Sequence, residues 1–253
     1  MVTVDGINLA ERYNVGVYPT DDPIMPEIRN NREDRASYGS IDYRSSFGSF
    51  PFPLSCYIEG GDIREKLKEI IALFVDDDGE FKKVIMTFSP WGNVFREVKL
   101  TKQVSLAYEE DYNFGEFTLE LIADDPFGKS INQIERYFGE VNLKNGPLEI
   151  PISYYGTYKA GFNFTFFGTI SNFDIEVHSA SGTVRTFHYT SASHSTYLRC
   201  DFTEFIIDDN GSNGLQKSSG DFLYLNRSTT KLVFKGDMTG SLNFAYREIY
   251  STA

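Results

Sequence analysis

The chain has 253 residues, of which 36 are acidic and 24 basic, and its formal net charge is −12. This excess of carboxylates disfavours nucleic-acid binding, which depends largely on Lys and Arg, and no run of about 18 apolar residues predicts a membrane-spanning helix. The 22 Phe and 16 Tyr residues favour half-buried, pleated surfaces. The composition therefore predicts a mainly β protein.

Residues 19–50 follow neither the helical nor the strand period of apolar residues. They carry Pro, Asn, Arg, Ser and Gly residues, which are typical of turns and loops. Irregular segments of this length within compact domains are usually functional or disordered. We therefore expect a long ordered arm or loop here.

The clearest helix lies at residues 62–74. Asp62 is a suitable N-cap, and Glu65 three residues later completes a capping-box pattern. The apolar residues of the segment recur along one face of a helix with 3.6 residues per turn: Ile63, Leu67, Ile70, Ile71 and Phe74. The helix is expected to end before the turn at residues 76–79.

Most of the remaining chain alternates apolar and polar residues, which predicts antiparallel strands with one solvated face. One apolar set is interrupted by Arg96 and Lys102. Short strands separated by turn signals predict β-sandwiches. The apolar sets are Val94, Val98, Leu100, Val104, Leu106 and Tyr108; Phe117, Leu119, Leu121 and Ala123; Phe162, Phe164 and Phe166; Phe173, Ile175 and Val177; and Leu242, Phe244 and Tyr246.

Charge is distributed unevenly between the two halves of the chain. Residues 1–135 carry 25 acidic and 14 basic side chains, whereas residues 136–253 carry 11 and 10. Pro and Gly residues between Asp124 and Pro151 mark a boundary rather than the interior of a strand. We therefore predict two domains, residues 1–135 with one packed helix and residues 136–253 with almost only strands.

No arrangement of residues predicts catalysis, a metal site or a cofactor. His178, His188 and His194 lack the ligand spacing of a zinc site, so we expect ordinary surface or hydrogen-bonded histidines. Ser193 lies next to His194, but a nucleophilic triad needs a geometry that adjacency in sequence does not provide. The two cysteines are expected to be buried and reduced. These absences favour a binding or structural protein over an enzyme.

Two runs of acidic residues fall where turns are expected. Asp76, Asp77 and Asp78 directly precede Gly79, which is not the ligand spacing of a calcium-binding loop. The second run consists of Glu109, Glu110 and Asp111 and is expected at a hairpin tip. The separation of paired carboxylates in a glycosidase is a property of the fold, and the sequence selects no such pair.

Five segments carry a resemblance that extends over essentially the full length. They are the Arg-bearing residues 29–39 leading to residues 54–57, the helix at 62–74, residues 117–127 with Asp125-Pro126 at their end, residues 155–158, and residues 220–224 followed by a last strand into 246–250. In this order they resemble the distal tail protein (Dit) family of long, flexible-tailed bacteriophages.

The resemblance implies a tail-tube-like β-sandwich with a packed helix as the first domain, which forms a six-membered ring around a channel. It implies a galectin-like sandwich on the outside of the ring as the second domain. The implied function is a non-enzymatic structural hub at the tail tip of the virion, assembled in the host cytoplasm. Its partners would be five further copies, the major tail tube protein and the tail-tip (tail-associated) protein, with DNA only as transiting cargo and no membrane insertion.

The acidity of the first domain suits a channel that passes DNA, because like charges disfavour contact with phosphates. We hypothesise that some of these six residues face the channel: Asp76, Asp77, Asp78, Glu109, Glu110 and Asp111. The alternative is that both runs are solubilising turns.

Three basic residues, Arg29, Arg32 and Arg35, interrupt this acidity. We hypothesise that they contact carboxylates of a neighbouring subunit and help to close the ring. The alternative is an exposed arm whose ion pairs contribute about 0–1 kcal/mol each.

A galectin-like domain raises the question of sugar binding. Galectins use a Trp beside a His-Asn-Arg set, but the only Trp is Trp91 in the first domain, and no such set lies near the histidines of the second. Tyr154, Tyr155 and Tyr158 are expected to pack rather than to stack on a sugar. We therefore expect a protein-docking or spacer domain; the alternative is a carbohydrate- or receptor-binding module of a phage adsorption device. A cell-wall hydrolase is disfavoured.

Overall fold

The computed structural model describes residues 1–18, 28–34, 40–109 and 113–250, with the backbone alone at 28–34, 40–47, 109 and 192–195. The chain divides into two compact units, Met1–Lys129 and Ser130–Tyr250, which we call unit 1 and unit 2. The predicted boundary after residue 135 lies a few residues beyond this division, inside a strand of unit 2.

Unit 1 contains two helices, α1 (Leu9–Tyr13) and α2 (Ile63–Ala72). Its strands are β1 (Val2–Val4), β2 (Ile7–Asn8), β3 (Val15–Val17), β4 (Ile28–Asp34), β5 (Ser40–Phe47), β6 (Phe50–Glu59), β7 (Val84–Phe88), β8 (Val94–Leu100), β9 (Leu106–Glu109) and β10 (Phe114–Ala123). The short strand β11 (Gly128–Ser130) follows at the division between the units.

Two antiparallel sheets form unit 1. One has the strand order β2-β1-β7-β8 and the other β3-β6-β10-β9, and they join where β8 pairs with β10 near Leu121. The ring of Phe52 in β6 lies 5.4 Å from that of Phe88 and 4.9 Å from that of Trp91. These aromatic contacts between the sheets fill the core of a sandwich.

The predicted helix is confirmed as α2. Asp62 caps it by accepting a 3.1 Å hydrogen bond from the backbone N–H of Glu65, which satisfies one of the free N–H groups of the first turn. Ile71, predicted on the apolar face, is only half-buried. The buried residues of this face are Ile63, Leu67, Ile70 and, after the last turn, Phe74.

Helix α1 was not predicted, because its five residues are too few to show a helical period. Local signals define it instead. The Asn8 side chain accepts hydrogen bonds from the N–H groups of Ala10 and Glu11, and Asn14 ends the helix in the left-handed region at φ 58°.

The described part of residues 19–50 contains a hairpin rather than an irregular loop. Strands β4 and β5 pair antiparallel from Ile28 with Phe47 to Asp34 with Ser40, and they form a two-stranded sheet of their own. The segment is ordered here, as expected of an arm, but its strand pairing was not predicted, because β4 shows no apolar alternation.

The alternation predicted for β8 and β10 is confirmed, with one addition. Arg96, expected to interrupt the apolar set, is 1% exposed. Its guanidinium carbon lies 4.2 Å from the ring centre of Phe50 and 5.1 Å from that of Trp91, and the group donates a hydrogen bond to the Pro126 carbonyl. The buried apolar residues are Val94, Val98 and Leu100 in β8 and Phe117, Leu119, Leu121 and Ala123 in β10.

Unit 2 is dominated by three strands of 18 residues that pair side by side in the order β15-β14-β19. Its strands are β12 (Ile134–Asn142), β13 (Leu148–Pro151), β14 (Phe162–Ser179), β15 (Val184–Asp201), β16 (Ile206–Asp209), β17 (Ser212–Asn213), β18 (Ser218–Gly220), β19 (Thr229–Tyr246) and β20 (Ile249–Tyr250).

The long strands pass from one half of a sandwich into the other. Gly168 and Gly240 are paired at the transition, and a Cβ at Gly168, where φ is +148°, would lie 2.2 Å from the carbonyl oxygen of Thr239. On one side the strand order is β12-β19-β14-β15-β16-β17, and on the other it is β13-β19-β14-β15-β18. Only glycine fits where the backbones approach so closely.

The two halves enclose one core rich in Phe. The ring of Phe164 meets those of Phe173 and Phe234 edge to face, with centroids 5.7 and 5.6 Å apart. The predicted apolar sets of β14 and β19 are all buried. The predicted fold class is confirmed: the protein is mainly β, with two β-sheet domains and a helix packed on the first.

Candidate assembly surfaces

The first acidic run forms a tight turn after α2. The Asp76 carboxylate accepts hydrogen bonds from the N–H groups of Asp78 and Glu80, at 3.0 and 2.9 Å, and Gly79 adopts φ +85°. Asp77 and Asp78 are exposed. The turn therefore presents carboxylates to the surroundings of unit 1, as both interpretations of this run require.

The second acidic run lies at the connection between β9 and β10. The backbone of Glu109 ends β9 and pairs with Phe114, whereas Glu110 and Asp111 lie outside the described residues. A hairpin connection at this point agrees with the expected position of the run, and its exposure to a channel stays a prediction.

Two of the three predicted interface arginines, Arg29 and Arg32, lie in strand β4 of the β4–β5 hairpin. In the backbone register, Arg29 is opposite Ser46 and Arg32 is opposite Asp42. Arg35 lies outside the described residues. Strand β4 therefore contains two of the three arginines that were predicted to lie at a subunit interface.

An open cleft of about 650 Å³ on the β3-β6-β10 sheet was not predicted from the sequence. The Tyr18 hydroxyl donates a hydrogen bond to Glu116, which together with burial raises the pKa of Tyr18 to about 12. The Tyr18 ring lies 5.2 Å from that of Tyr57, which stacks on Phe114. Tyr18 therefore stays protonated at neutral pH, and the cleft offers hydrogen-bonding groups and aromatic surface.

Polar side chains on one outer face of the unit 2 sandwich form pairs along β14 and across to β15 and β19. His178 and Lys235 contact the two carboxylate oxygens of Glu176 at 2.8 and 2.5 Å, and His188 contacts Asp174 at 2.6 Å. Burial raises the pKa of Glu176, but the hydrogen bonds from Lys235 and His178 outweigh it and the net pKa is lowered. The expectation of satisfied histidines is confirmed for His178 and His188.

The aromatic residues considered for sugar stacking divide between core and surface. Trp91 is buried in unit 1. Tyr154 is buried in unit 2, where its hydroxyl donates to the Tyr158 carbonyl and accepts from the Ile249 N–H. Tyr155 is exposed, which differs from the expectation that it packs. A single exposed Tyr does not form the aromatic and polar set of a galectin.

The described residues bring together no metal-binding group of three or more His, Cys, Asp or Glu side chains. The side chains of Ser193 and His194 lie outside the described part. Cys56 and Cys200 are both free and buried, as expected, and burial raises the pKa of the Cys56 thiol to about 12. In the described ranges no helix is long and apolar enough to cross a membrane.

Comparison with known proteins gives a match in fold without a match in sequence. No protein-family model and no curated protein matches the chain. The crystal structure of the Dit protein (gp 19.1) of phage SPP1, described as a paradigm of the hub adsorption apparatus in phages infecting Gram-positive bacteria, matches with a TM-score of 0.68 and 13% identity, over 98% of each chain. The baseplate of phage P2 in its activated conformation with Ca matches with a TM-score of 0.48 and 9% identity, over 94% of this chain and 92% of that one.

The chain therefore has the fold of SPP1 Dit over 98% of its length. This confirms, at the level of the fold, the resemblance that the five sequence segments indicated. Because the identity is 13%, the correspondence lies in the backbone rather than in shared side chains.

Proposed function

We propose that this protein is a structural hub of a phage tail tip and a member of the distal tail protein family. Six copies would form a ring through unit 1, with unit 2 as a peripheral galectin-like domain. The ring would join the tail tube to the tail-tip protein and leave a channel through which DNA passes, without catalysing a reaction. The supporting observation is the fold match to SPP1 Dit, which covers both units and 98% of each chain.

The charge distribution supports the role of unit 1 in the ring. Residues 1–129 carry 24 acidic and 14 basic side chains, whereas residues 130–250 carry 12 and 10. A channel for DNA benefits from negative charge, because attraction would retain the phosphates. The exposed turn at Asp76–Asp78 and the β9–β10 connection with Glu109, Glu110 and Asp111 are the proposed channel-facing groups.

The β4–β5 hairpin is the proposed contact between subunits. An isolated two-stranded hairpin is marginally stable in water, and these strands form a sheet of their own. Packing against a neighbouring copy would stabilise it. Arg29, Arg32 and Arg35 would then face carboxylates of that copy, since the first half of the chain has an excess of acid.

Light scattering after size-exclusion chromatography tests this proposal over a series of concentrations. We expect a mass six times the 28.8 kDa of the chain. Replacing Arg29, Arg32 and Arg35 together by Ala should shift the mass toward smaller species. A control that replaces Lys144, Lys159 and Lys231 of unit 2 by Ala removes the same charge and should leave the hexamer intact.

A chain that remains monomeric or trimeric at every concentration would contradict the proposal. If such a monomer or trimer also binds cell-wall sugars in a glycan screen, the result supports the alternative of a carbohydrate- or receptor-binding module. An arginine variant that assembles as well as the parent would remove the hairpin contact but not the hub.

A further inference from the structure

Four apolar side chains lie exposed together at one edge of unit 2. Phe205, Ile206 and Leu215 line a groove of about 320 Å³, and the ring of Phe222 lies 5.0 Å from that of Phe205. Phe205 is 60% exposed, and the other three also remain accessible. Contiguous apolar surface of this kind on a protein marks an interaction site more often than single exposed residues do. We call these four residues the Phe205 patch.

The exposed rings are fixed to the core by a chain of edge-to-face contacts. Phe187, in the core, meets Phe202 at 5.0 Å; Phe202 meets Phe222 at 6.1 Å; and Phe222 meets Phe205. The interplanar angles are 82°, 76° and 77°. An aromatic side chain held in place in this way loses little conformational entropy when it binds a partner.

The backbone at Phe205 is strained. Its φ is +57°, in the left-handed region that bulky residues rarely adopt. The chain therefore keeps a large ring in solvent on an unfavourable backbone, two features that both oppose stability. Phe205 ends the turn that joins β15 to β16, and backbone strain of this kind clusters at binding sites.

The charges around the patch indicate the chemistry of its partner. Glu204 and Asp221, each next to a ring of the patch in sequence, are exposed, and Asp208 lines the groove. The nearby Lys217 is bound to the buried Asp209 at 2.5 Å, so it does not offset them. Acidic groups around an apolar groove favour an apolar anchor flanked by basic residues.

We propose that the Phe205 patch binds a segment of another protein that places an apolar side chain in the groove and Lys or Arg residues beside it. A sugar is disfavoured because Ile206 and Leu215 offer aliphatic surface rather than stacking faces. Contact between the patches of two copies is disfavoured because the acidic groups Glu204, Asp208 and Asp221 would then face one another. This interaction does not depend on ring formation.

Fluorescence anisotropy with two labelled peptides tests the proposal on the full chain. One peptide repeats Leu and Lys, and the other has Glu in place of each Lys. We expect the Lys peptide to bind, and Phe205→Asn to weaken it about tenfold or more, as expected for a central anchor. Asn tolerates the left-handed region, so the variant should unfold at the same or a higher temperature than the parent.

Two further variants separate the patch from general effects. Phe167→Asn removes a ring of similar exposure, 55%, elsewhere in unit 2, and should leave binding unchanged. Glu204→Lys should weaken the Lys peptide and strengthen the Glu peptide.

Any of four results would overturn the proposal: no binding of the Lys peptide, equal binding of the Glu peptide, no effect of Phe205→Asn, or an equal loss in Phe167→Asn. Phe205-dependent binding of a glycan, or Phe205-dependent self-association, would show a different occupant and equally exclude it.

Discussion

Unit 1 and unit 2 reach the same class of structure by different means. Unit 1 combines strands of at most ten residues in its described part with two helices and a separate hairpin, and it carries most of the acidic excess. Unit 2 has three strands of 18 residues that supply both halves of a nearly neutral sandwich. The three long strands give unit 2 one continuous core, whereas the described part of unit 1 divides its strands among shorter pairings.

The largest expected effect is on the core of unit 2. Phe164→Ala removes the contacts with Phe173 and Phe234 and should cost unit 2 about 3–5 kcal/mol. Because Trp91 is the only Trp and lies in unit 1, its fluorescence reports on unit 1 alone. We expect the unfolding of unit 2, followed by circular dichroism, to move to lower temperature. The unfolding temperature of unit 1, followed by Trp91 fluorescence, should stay unchanged.

An equal shift of both signals would contradict the separation of the two units in stability. Phe81→Ala, which truncates an exposed ring of unit 1, is the control and should move neither transition appreciably.

A smaller effect is expected in the core of unit 1. Arg96→Lys keeps the charge but loses the flat guanidinium between Phe50 and Trp91 and the hydrogen bond to the Pro126 carbonyl, at a cost of about 1.5–3 kcal/mol. The midpoint of urea unfolding followed by Trp91 fluorescence measures it. In the control, Arg64→Lys, the guanidinium lies over Tyr108 near the surface, and the midpoint should hardly change. Equal effects of the two substitutions would mean that Arg96 has no special role.

The transition between the halves of unit 2 gives a matched pair of glycine substitutions. Gly168→Ala places a methyl group against the Thr239 carbonyl oxygen and should cost about 1–3 kcal/mol beyond the effect of backbone conformation. Gly146 has nearly the same φ, +145°, but nothing lies within 4 Å of its Cβ position, so Gly146→Ala isolates the backbone effect. If the two variants lower the unfolding temperature equally, the contact with the Thr239 carbonyl oxygen is not the reason that residue 168 is glycine.

The smallest effect concerns the pH dependence of unit 2. Because the folded-state pKa of Glu176 is lowered, its contribution is present above the pKa of an unfolded carboxyl and is lost as the pH falls through the folded value. Glu176→Gln should therefore destabilise the protein at neutral pH and flatten the decline at acidic pH, measured by chemical unfolding at several pH values. A variant with the same acid dependence as the parent would contradict this role.

Alternation and capping were sufficient to predict α2 and the strand faces of both units, because those signals are local. The burial of Arg96 was not predictable in this way. Its charge suggests a solvated position, and its burial depends on the tertiary placement of the Phe50 and Trp91 rings next to the guanidinium. The β4–β5 hairpin was missed because β4 has a single apolar residue, Ile28, although Ile41, Tyr43 and Phe47 of β5 share one parity.

The candidate surfaces show the same limit. The acidic turn at residues 76–79 was visible in the sequence, because Asp and Gly runs are local turn signals. The Phe205 patch was not, because it unites residues from three separate segments and depends on a left-handed backbone at Phe205. A Phe followed by two Ile residues at 205–207 reads as an ordinary buried strand start.

Negative-stain electron microscopy of the purified chain, at a concentration where light scattering shows full assembly, tests the central claim most directly. The account predicts closed rings with six-fold symmetry and a central opening, with a second ring of density outside. A label attached to unit 2 should appear at the periphery. Particles without six-fold symmetry, or a unit 2 label at the central opening, would contradict the hub.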